Sequence, residues 1–315
     1  MIVVIVAIFA GLLFFLAPAN EVPVARAETP VVKPRLDPPT AQGSDRDADP
    51  SENARAGVAD GEQGSLKSEL ARIAAAYPGR YGVVVFDPSS DQTVSMDPDG
   101  RFLAASLNKL PVLMALYRSA AAGTVDLDAP ITMQASDVQA YGTGSLQLEP
   151  IGTTMTLREC AAYLIKESDN TAWKMLDRYL GREYIRAELY EAGATSTEYW
   201  LPNTTTPNDV LVMLEKISDP SYTSPQLSDE MLDLMRNTDF EDRLPPLLPD
   251  DAKISHKIGS YGATFGDAGI VFPHGSREDA YYIVVLVDET GEGTARAAMQ
   301  EMSLASYRAF GEDAP

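Results

Sequence analysis

The chain has 315 residues, 45% of them apolar, which is enough for one large core or two small ones. Its formal net charge of −21, with no Lys/Arg cluster, excludes nucleic acid and anionic lipid headgroups as charge-driven partners. A single cysteine excludes an intrachain disulfide, and with only two histidines, His256 and His274, no Cys/His zinc site and no metal or cofactor are expected.

Residues 2–17 are apolar apart from Gly11, and the first charge is Glu21. The run falls between a signal-peptide core of about 7–15 residues and a spanning helix of about 20. Ala17-Pro18-Ala19 and Ala25-Arg26-Ala27 both fit a small-x-small cleavage site. Residues 1–27 are therefore expected to be a signal peptide or N-terminal membrane anchor. The protein would be exported, either secreted or tethered to the membrane through this segment alone. Residues 28–64 lack aromatics and are rich in Pro, Ala, Gly and acidic residues, the composition of a disordered linker. The folded domain is expected over residues 65–311, as a monomer.

Within that domain Ser65 can cap a helix carrying Leu66, Leu70, Ile73 and Tyr77 on one stripe, ended by Pro78-Gly79. Residues 81–86 (YGVVVF) read as a strand and residues 92–96 as its hairpin partner. A mostly helical block runs from Ser106 to about Leu244, closed by Pro245-Pro246. Inside it, Thr156 and Glu159 form a capping box, and Leu157, Cys160, Ala161, Leu164 and Ile165 share one helix face, which makes Cys160 a core residue. Thr206-Pro207 starts another helix. Strands resume at residues 253–259, 266–272 and 281–288, and a last helix spans about 294–310. The short turns between strands predict antiparallel pairing, and two strands alone are marginal, so both groups must join one sheet. The fold class is α/β of the α+β type: an all-α lobe inserted in a five-stranded antiparallel sheet flanked by helices.

Three short elements carry chemistry. Ser106-Leu107-Asn108-Lys109 opens a helix, and positions i and i+3 share a face, so Lys109 can take the Ser106 proton if its pKa is lowered. Pro111 lies a turn inside this helix and predicts a local distortion. Ser168-Asp169-Asn170, between two helices, presents a hydroxyl able to relay a proton and an amide able to hold a carbonyl. Lys257-Ile258-Gly259-Ser260 lies on a strand; Lys257 attracts an anionic substrate, Gly259 admits a ligand backbone, and the Ser260 N–H with that of Ser106 can form an oxyanion hole. Taken singly, each of these also fits a solvated helix start, a turn or a strand end. Their order and their placement on helix start, inter-helix turn and strand are the set found together in class A β-lactamases and penicillin-binding proteins.

From about residue 81 to 310 the sequence resembles the class A β-lactamase family, carried by LAASLNKLPVLMALYRS, TLRECAAYLIKESDNTAWKML, TTTPNDV and SHKIGSYGATFGDAGIVF. The resemblance implies Ser106 as nucleophile, Lys109 as its proton partner, Ser168 as proton relay, and Asn170, Lys257, Gly259 and Ser260 as substrate contacts. Two departures stand out. Ile258 follows the strand lysine where the family has Thr or Ser, removing a hydroxyl whose bond to a substrate carboxylate is worth about 1.5–3 kcal/mol. The loop before Thr204-Thr205-Thr206-Pro207 is short; in the family it carries a glutamate that activates the deacylating water, and Glu198 is the nearest candidate here. The expected function is an exported serine hydrolase that opens β-lactam rings through a Ser106 acyl-enzyme, with slow deacylation. The alternatives are a D-alanyl-D-alanine peptidase or transpeptidase acting on peptidoglycan stem peptides, and a non-catalytic sensor that binds β-lactam or peptidoglycan.

Overall fold

The computed structural model describes residues 65–311; the expectations for residues 1–27 and 28–64 lie outside them. Helix α1 covers 65–76 and leads into the hairpin β1 (Arg80–Asp87) and β2 (Gln92–Met96), with the short β3 (Phe102–Leu103) after it. The lobe that follows contains α2 (Leu110–Ala121), β4 (Pro130–Thr132), β5 (Thr154–Thr156), α3 (Leu157–Lys166), α4 (Asn170–Leu180) and α5 (Arg182–Ala192). It continues through β6 (Thr204–Thr205), α6 (Pro207–Ser218) and α7 (Pro225–Leu234). The chain then returns as β7 (Lys253–Tyr261), β8 (Thr264–Phe272), β9 (Tyr281–Asp288) and α8 (Glu292–Phe310).

The two strand groups form one antiparallel five-stranded sheet in the order β2-β1-β9-β8-β7. Strand alternation divides its side chains between two cores. On β9, Ile283, Val285 and Val287 face α1 and α8, whereas Val284 and Leu286 face the helical lobe. At the centre of that lobe, every residue of α2 from Leu110 to Tyr117 is buried, as expected of a helix apolar on all sides. The small pairs β3–β6 and β4–β5 were not expected from sequence; each has two or three residues per strand, too few for a period-2 signal.

The capping box of Thr156 and Glu159 is present, and the Thr206 side chain caps α6 by accepting the Asp209 N–H. Cys160 is fully buried, and burial raises its thiol pKa. Ser106 departs from the expected α-helix start. It lies in a 3₁₀ turn, Ala105–Lys109, and α2 begins only at Leu110. Pro111 accounts for this: it occupies the first turn of α2, where its missing N–H has no helical partner to lose.

That 3₁₀ turn is seated directly on β7. A Cβ added at Gly259 would stand 2.7 Å from the Ala104 carbonyl oxygen and 3.2 Å from the Ser106 and Leu107 nitrogens. Only a residue without a side chain allows this approach. Gly259→Ala is expected to lower unfolding free energy by about 1–3 kcal/mol, because the clash is with backbone that cannot rotate away. Urea unfolding measures it; an unchanged midpoint would show that the turn is free to slide.

Candidate active site

A cleft of about 970 Å³ separates the start of α2 and α4 from the β7 edge, and Ser106, Lys109, Ser168 and Asn170 line it. Each comes from a differently constrained backbone. Ala105, just before Ser106, has φ 48°, and Ser168 has φ 51°, conformations that a non-glycine residue adopts only when its surroundings hold it there. At the second position the holding groups are visible. Asp169 caps α4 by accepting the Ala172 N–H and also accepts the Leu146 N–H, while the Ser168 carbonyl accepts the Thr143 hydroxyl at 2.7 Å.

Lys109 Nζ is 3.0 Å from Ser106 Oγ, 3.1 Å from Ser168 Oγ, 2.6 Å from the Ser168 carbonyl and 2.8 Å from Asn170 Oδ1. Lys257 Nζ reaches the same cluster from β7, 2.9 Å from Ser168 Oγ and 3.1 Å from the Ile258 carbonyl. Both lysines are only 2% exposed. Burial lowers the Lys109 pKa well below its ordinary value, and Lys257 lowers it further, against a smaller opposing pull from Asp169. Burial also lowers Lys257, to about 7, with Asp267 opposing and Arg243 adding to the shift.

Neutral Lys109 has two N–H donors and one lone pair. The Ser168 carbonyl and Asn170 Oδ1 can only accept, and they take the two donors. The lone pair is left for a hydroxyl hydrogen, and Ser106 Oγ stands at the right distance. The arrangement can therefore deprotonate Ser106 as it attacks, and the Ser168 hydroxyl, touching both lysines, can pass the proton onward.

On β7, His256 donates its backbone N–H outward to the Met235 carbonyl, so alternation places the Ser260 N–H on the same outer edge, facing the cleft. Sequence reasoning missed Arg243. It is buried, lines the cleft, donates Nη1 to the Gly259 and Gly266 carbonyls and places Nη2 2.5 Å from Ser260 Oγ. This puts a cation against Gly259 and Ser260, the residues that follow Ile258 on β7. Arg243 belongs to the non-repetitive segment before β7 and carries no motif of its own, so nothing local in the sequence announced it.

A family model of the beta-lactamase enzymes matches residues 65–310. The chain belongs to the beta-lactamase enzyme family. Beta-lactamase 3 of Bacillus cereus is 27% identical over 222 residues, covering 65% of this chain and 68% of that one. The beta-lactamase of Bacillus licheniformis is 25% identical over 229 residues, covering 67% and 73%. Among solved structures, PBP-A superposes with a TM-score of 0.72 at 29% identity, over 78% of this chain and 96% of that one. An ancestral class A β-lactamase gives 0.72 at 25% identity, over 78% and 100%. The protein is thus a serine hydrolase of the β-lactamase type on the class A fold.

This β-lactamase-family protein departs from the sequence expectation at Glu198. The side chain is half exposed, lies 3.9 Å from Arg101 and is not part of the cleft wall; its backbone bridges to Thr204. The structure does not bring it to Ser106, because pairing with Thr204 turns residue 198 outward. The residues of this loop that do line the cleft are Trp200, Leu201, Pro202 and Asn203, with a cis peptide at Leu201–Pro202. Asn203 accepts a hydrogen bond from Asn108 Nδ2 at 2.7 Å, tying the loop to the turn that carries Ser106. The only carboxylates lining the cleft among the described residues are Asp242 and Glu292, both ion-paired with Arg296.

The depressed lysine pKa values have measurable consequences. An unfolded chain keeps both lysines protonated to about pH 10.4. Between about pH 7 and that value it binds more protons than the folded protein, so stability rises with pH across the window. Urea unfolding from pH 7 to 10 is expected to show a steeper rise in the wild type than in Lys257→Met. Side-chain NMR should place the Lys257 midpoint near 7, and Lys257→Met should move the Lys109 midpoint upward.

Proposed function

We propose that the protein opens β-lactam rings by forming an acyl-enzyme on Ser106 and releases the product slowly. The observation that carries this reading is the Lys109 amine 3.0 Å from Ser106 Oγ, in a cleft whose only carboxylates among the described residues are held by Arg296. Lys109 takes the Ser106 proton as Oγ bonds to the carbonyl carbon. The N–H groups of Ser106 and Ser260 receive the oxyanion. As the ring C–N bond breaks, the proton passes through Ser168 to the leaving nitrogen. Asn170 holds the acyl-side amide, and Lys257, Arg243 and Ser260 receive the substrate carboxylate.

Hydrolysis of the ester needs a base poised on water, worth about 10²–10⁴-fold. The loop residues that line the cleft, Trp200, Leu201, Pro202 and Asn203, include no carboxylate, apolar Leu201 is 72% exposed among them, and Glu198 is turned away. The second reading, a peptidase or transpeptidase acting on D-alanyl peptides, shares the first half-reaction. A PBP-A mutant solved as an acyl-enzyme with penicillin G, similar to this chain with a TM-score of 0.73 at 29% identity, supports the acylation step that both readings share. We also assign residues 65–311 as a monomeric catalytic domain exported by residues 1–27 and spaced from them by residues 28–64.

A chromogenic cephalosporin is expected to give a burst near one equivalent of enzyme, then slow turnover. Intact-protein mass should show a lasting adduct on the peptide containing Ser106, absent in Ser106→Ala and formed at least a hundredfold more slowly in Lys109→Ala. Glu198→Gln should leave turnover unaltered, and Leu201→Glu should raise it about tenfold or more. Rapid turnover with no burst and no trapped adduct would reject slow deacylation. An adduct that persists in Ser106→Ala would reject the nucleophile.

A further inference from the structure

One charged side chain of the cleft has no part in the chemistry above. Lys174 lies on α4 four residues after Asn170, hence on the same helix face and about 6 Å further along the axis. Asn170 is already in contact with Lys109, so Lys174 stands one turn beyond the reaction centre, at the loop end of the cleft it lines. Arg243 and Ser260 occupy the β7 side of the same cleft.

The Lys174 side chain is 19% exposed, yet among the described residues its ammonium has no hydrogen-bond acceptor. Its nearest carboxylate, Asp177, is 4.0 Å away and already accepts from Arg182 and the Tyr199 hydroxyl. Its other neighbour is the Trp200 ring, 4.2 Å from Nζ to the centroid. Arg182 lies over the same ring at 3.5 Å, and Trp173 packs against it at 4.7 Å between centroids. Two cations thus share one carboxylate at this end of the cleft. The ammonium is open to the cleft, and its nearest carboxylate, at 4.0 Å, is shared, so an anion bound there would meet a cation with no close partner of its own.

We propose that Lys174, beside the packed pair Trp173 and Trp200, forms a subsite for an anionic group on the acyl side of the substrate. This rests on the acyl-enzyme reading and sharpens it: the preferred acyl donor carries two carboxylates. One, on the leaving-group side, meets Arg243 and Ser260. The other, on the acyl side chain, meets the Lys174 ammonium beside an aromatic wall suited to an aryl or alkyl stem. A β-lactam with a carboxylated side chain and an acyl-D-alanyl-D-alanine peptide with a free acyl-side carboxylate share this chemistry.

The test uses matched pairs that differ by that one carboxylate. Carbenicillin is benzylpenicillin with an added side-chain carboxylate, and succinyl-D-alanyl-D-alanine is the acidic counterpart of the propionyl peptide. Second-order acylation constants for the penicillins, and D-alanine release for the peptides, give an acidic-to-neutral ratio in each protein. The full-length wild type is expected to favour the acidic member about ten- to a hundredfold in at least one pair, the size of a hydrogen bond to a charged group. Lys174→Met should bring that ratio close to one, and Lys174→Arg should keep most of it. The pair that shows the preference identifies the source, drug-like lactam or peptide. A wild-type ratio near one in both pairs overturns the subsite even if no variant folds, as does a preference that survives in Lys174→Met. Failure of every penicillin and peptide to acylate Ser106 sinks the acyl-enzyme reading itself, and the subsite with it.

Discussion

Two ammonium groups converge on the Ser168 hydroxyl, from Lys109 at 3.1 Å and from Lys257 at 2.9 Å, inside a cluster closed to solvent. Two full charges cannot be held there without a carboxylate between them, and neither lysine has one among its hydrogen-bond partners. The constraint resolves by proton loss: burial drives both lysines toward the amine form, and Lys257 adds to the effect on Lys109. A neutral lysine next to a serine is a base, so the electrostatic problem and the catalytic capacity are one feature. The backbone around it is held accordingly, with Ser168 in the left-handed region and its carbonyl taken by Lys109 and Thr143.

The same cluster explains why the chain is interrupted as it is. Lys257 belongs to the sheet and Lys109 to the helical lobe, and they meet only because the 3₁₀ turn sits on Gly259. The lobe is inserted between β2 and the returning strands, so both of its ends are anchored to one sheet. Behind β7, Asp267 accepts from His256 Nδ1 at 2.9 Å and from the Leu244 N–H at 3.1 Å, while Arg243 bridges the Gly259 and Gly266 carbonyls. These contacts fix the strand that carries Lys257. His256 is raised to about 9, since its two carboxylate neighbours outweigh the cost of burial. Its stabilisation is complete below about pH 6.5 and is lost as pH rises through 9, opposite in sign to that of Lys257.

Much of this was legible in the sequence. The hairpin and the returning strands carry period-2 or continuous apolar patterns, and capping chemistry marks α3 and α6, so element type and order could be read directly. Ser106, Lys109, Ser168, Asn170 and Lys257 were legible because short spacings bind them to a helix start, an inter-helix turn and a strand; the first four line the cleft, and Lys257 joins them through Ser168. Arg243, Lys174 and Trp200 were not. Their roles depend on which distant element they face, and a lone cation or aromatic has no spacing that reveals this. Glu198 failed for a related reason: nearness in sequence to the loop suggested it, but the bridge to Thr204 decides which way it faces.

The short loop shows how one substitution of forces reshapes a reaction. A longer loop could bring a carboxylate to the ester and still close upon itself. Here the segment closes through aromatic and cationic contacts instead: Trp200 beneath Arg182 and Lys174, Trp173 donating to Tyr199, and Tyr199 donating to Asp177. Trp200 adopts φ 83°, a strained conformation for a bulky residue, which this packing must hold. At its cleft face the loop presents Trp200, Leu201, Pro202 and Asn203, none of which is a carboxylate. The contacts that hold Trp200 therefore fill the loop with aromatic and cationic groups, and they leave Lys174 lining the cleft with no general-base carboxylate of the loop beside it.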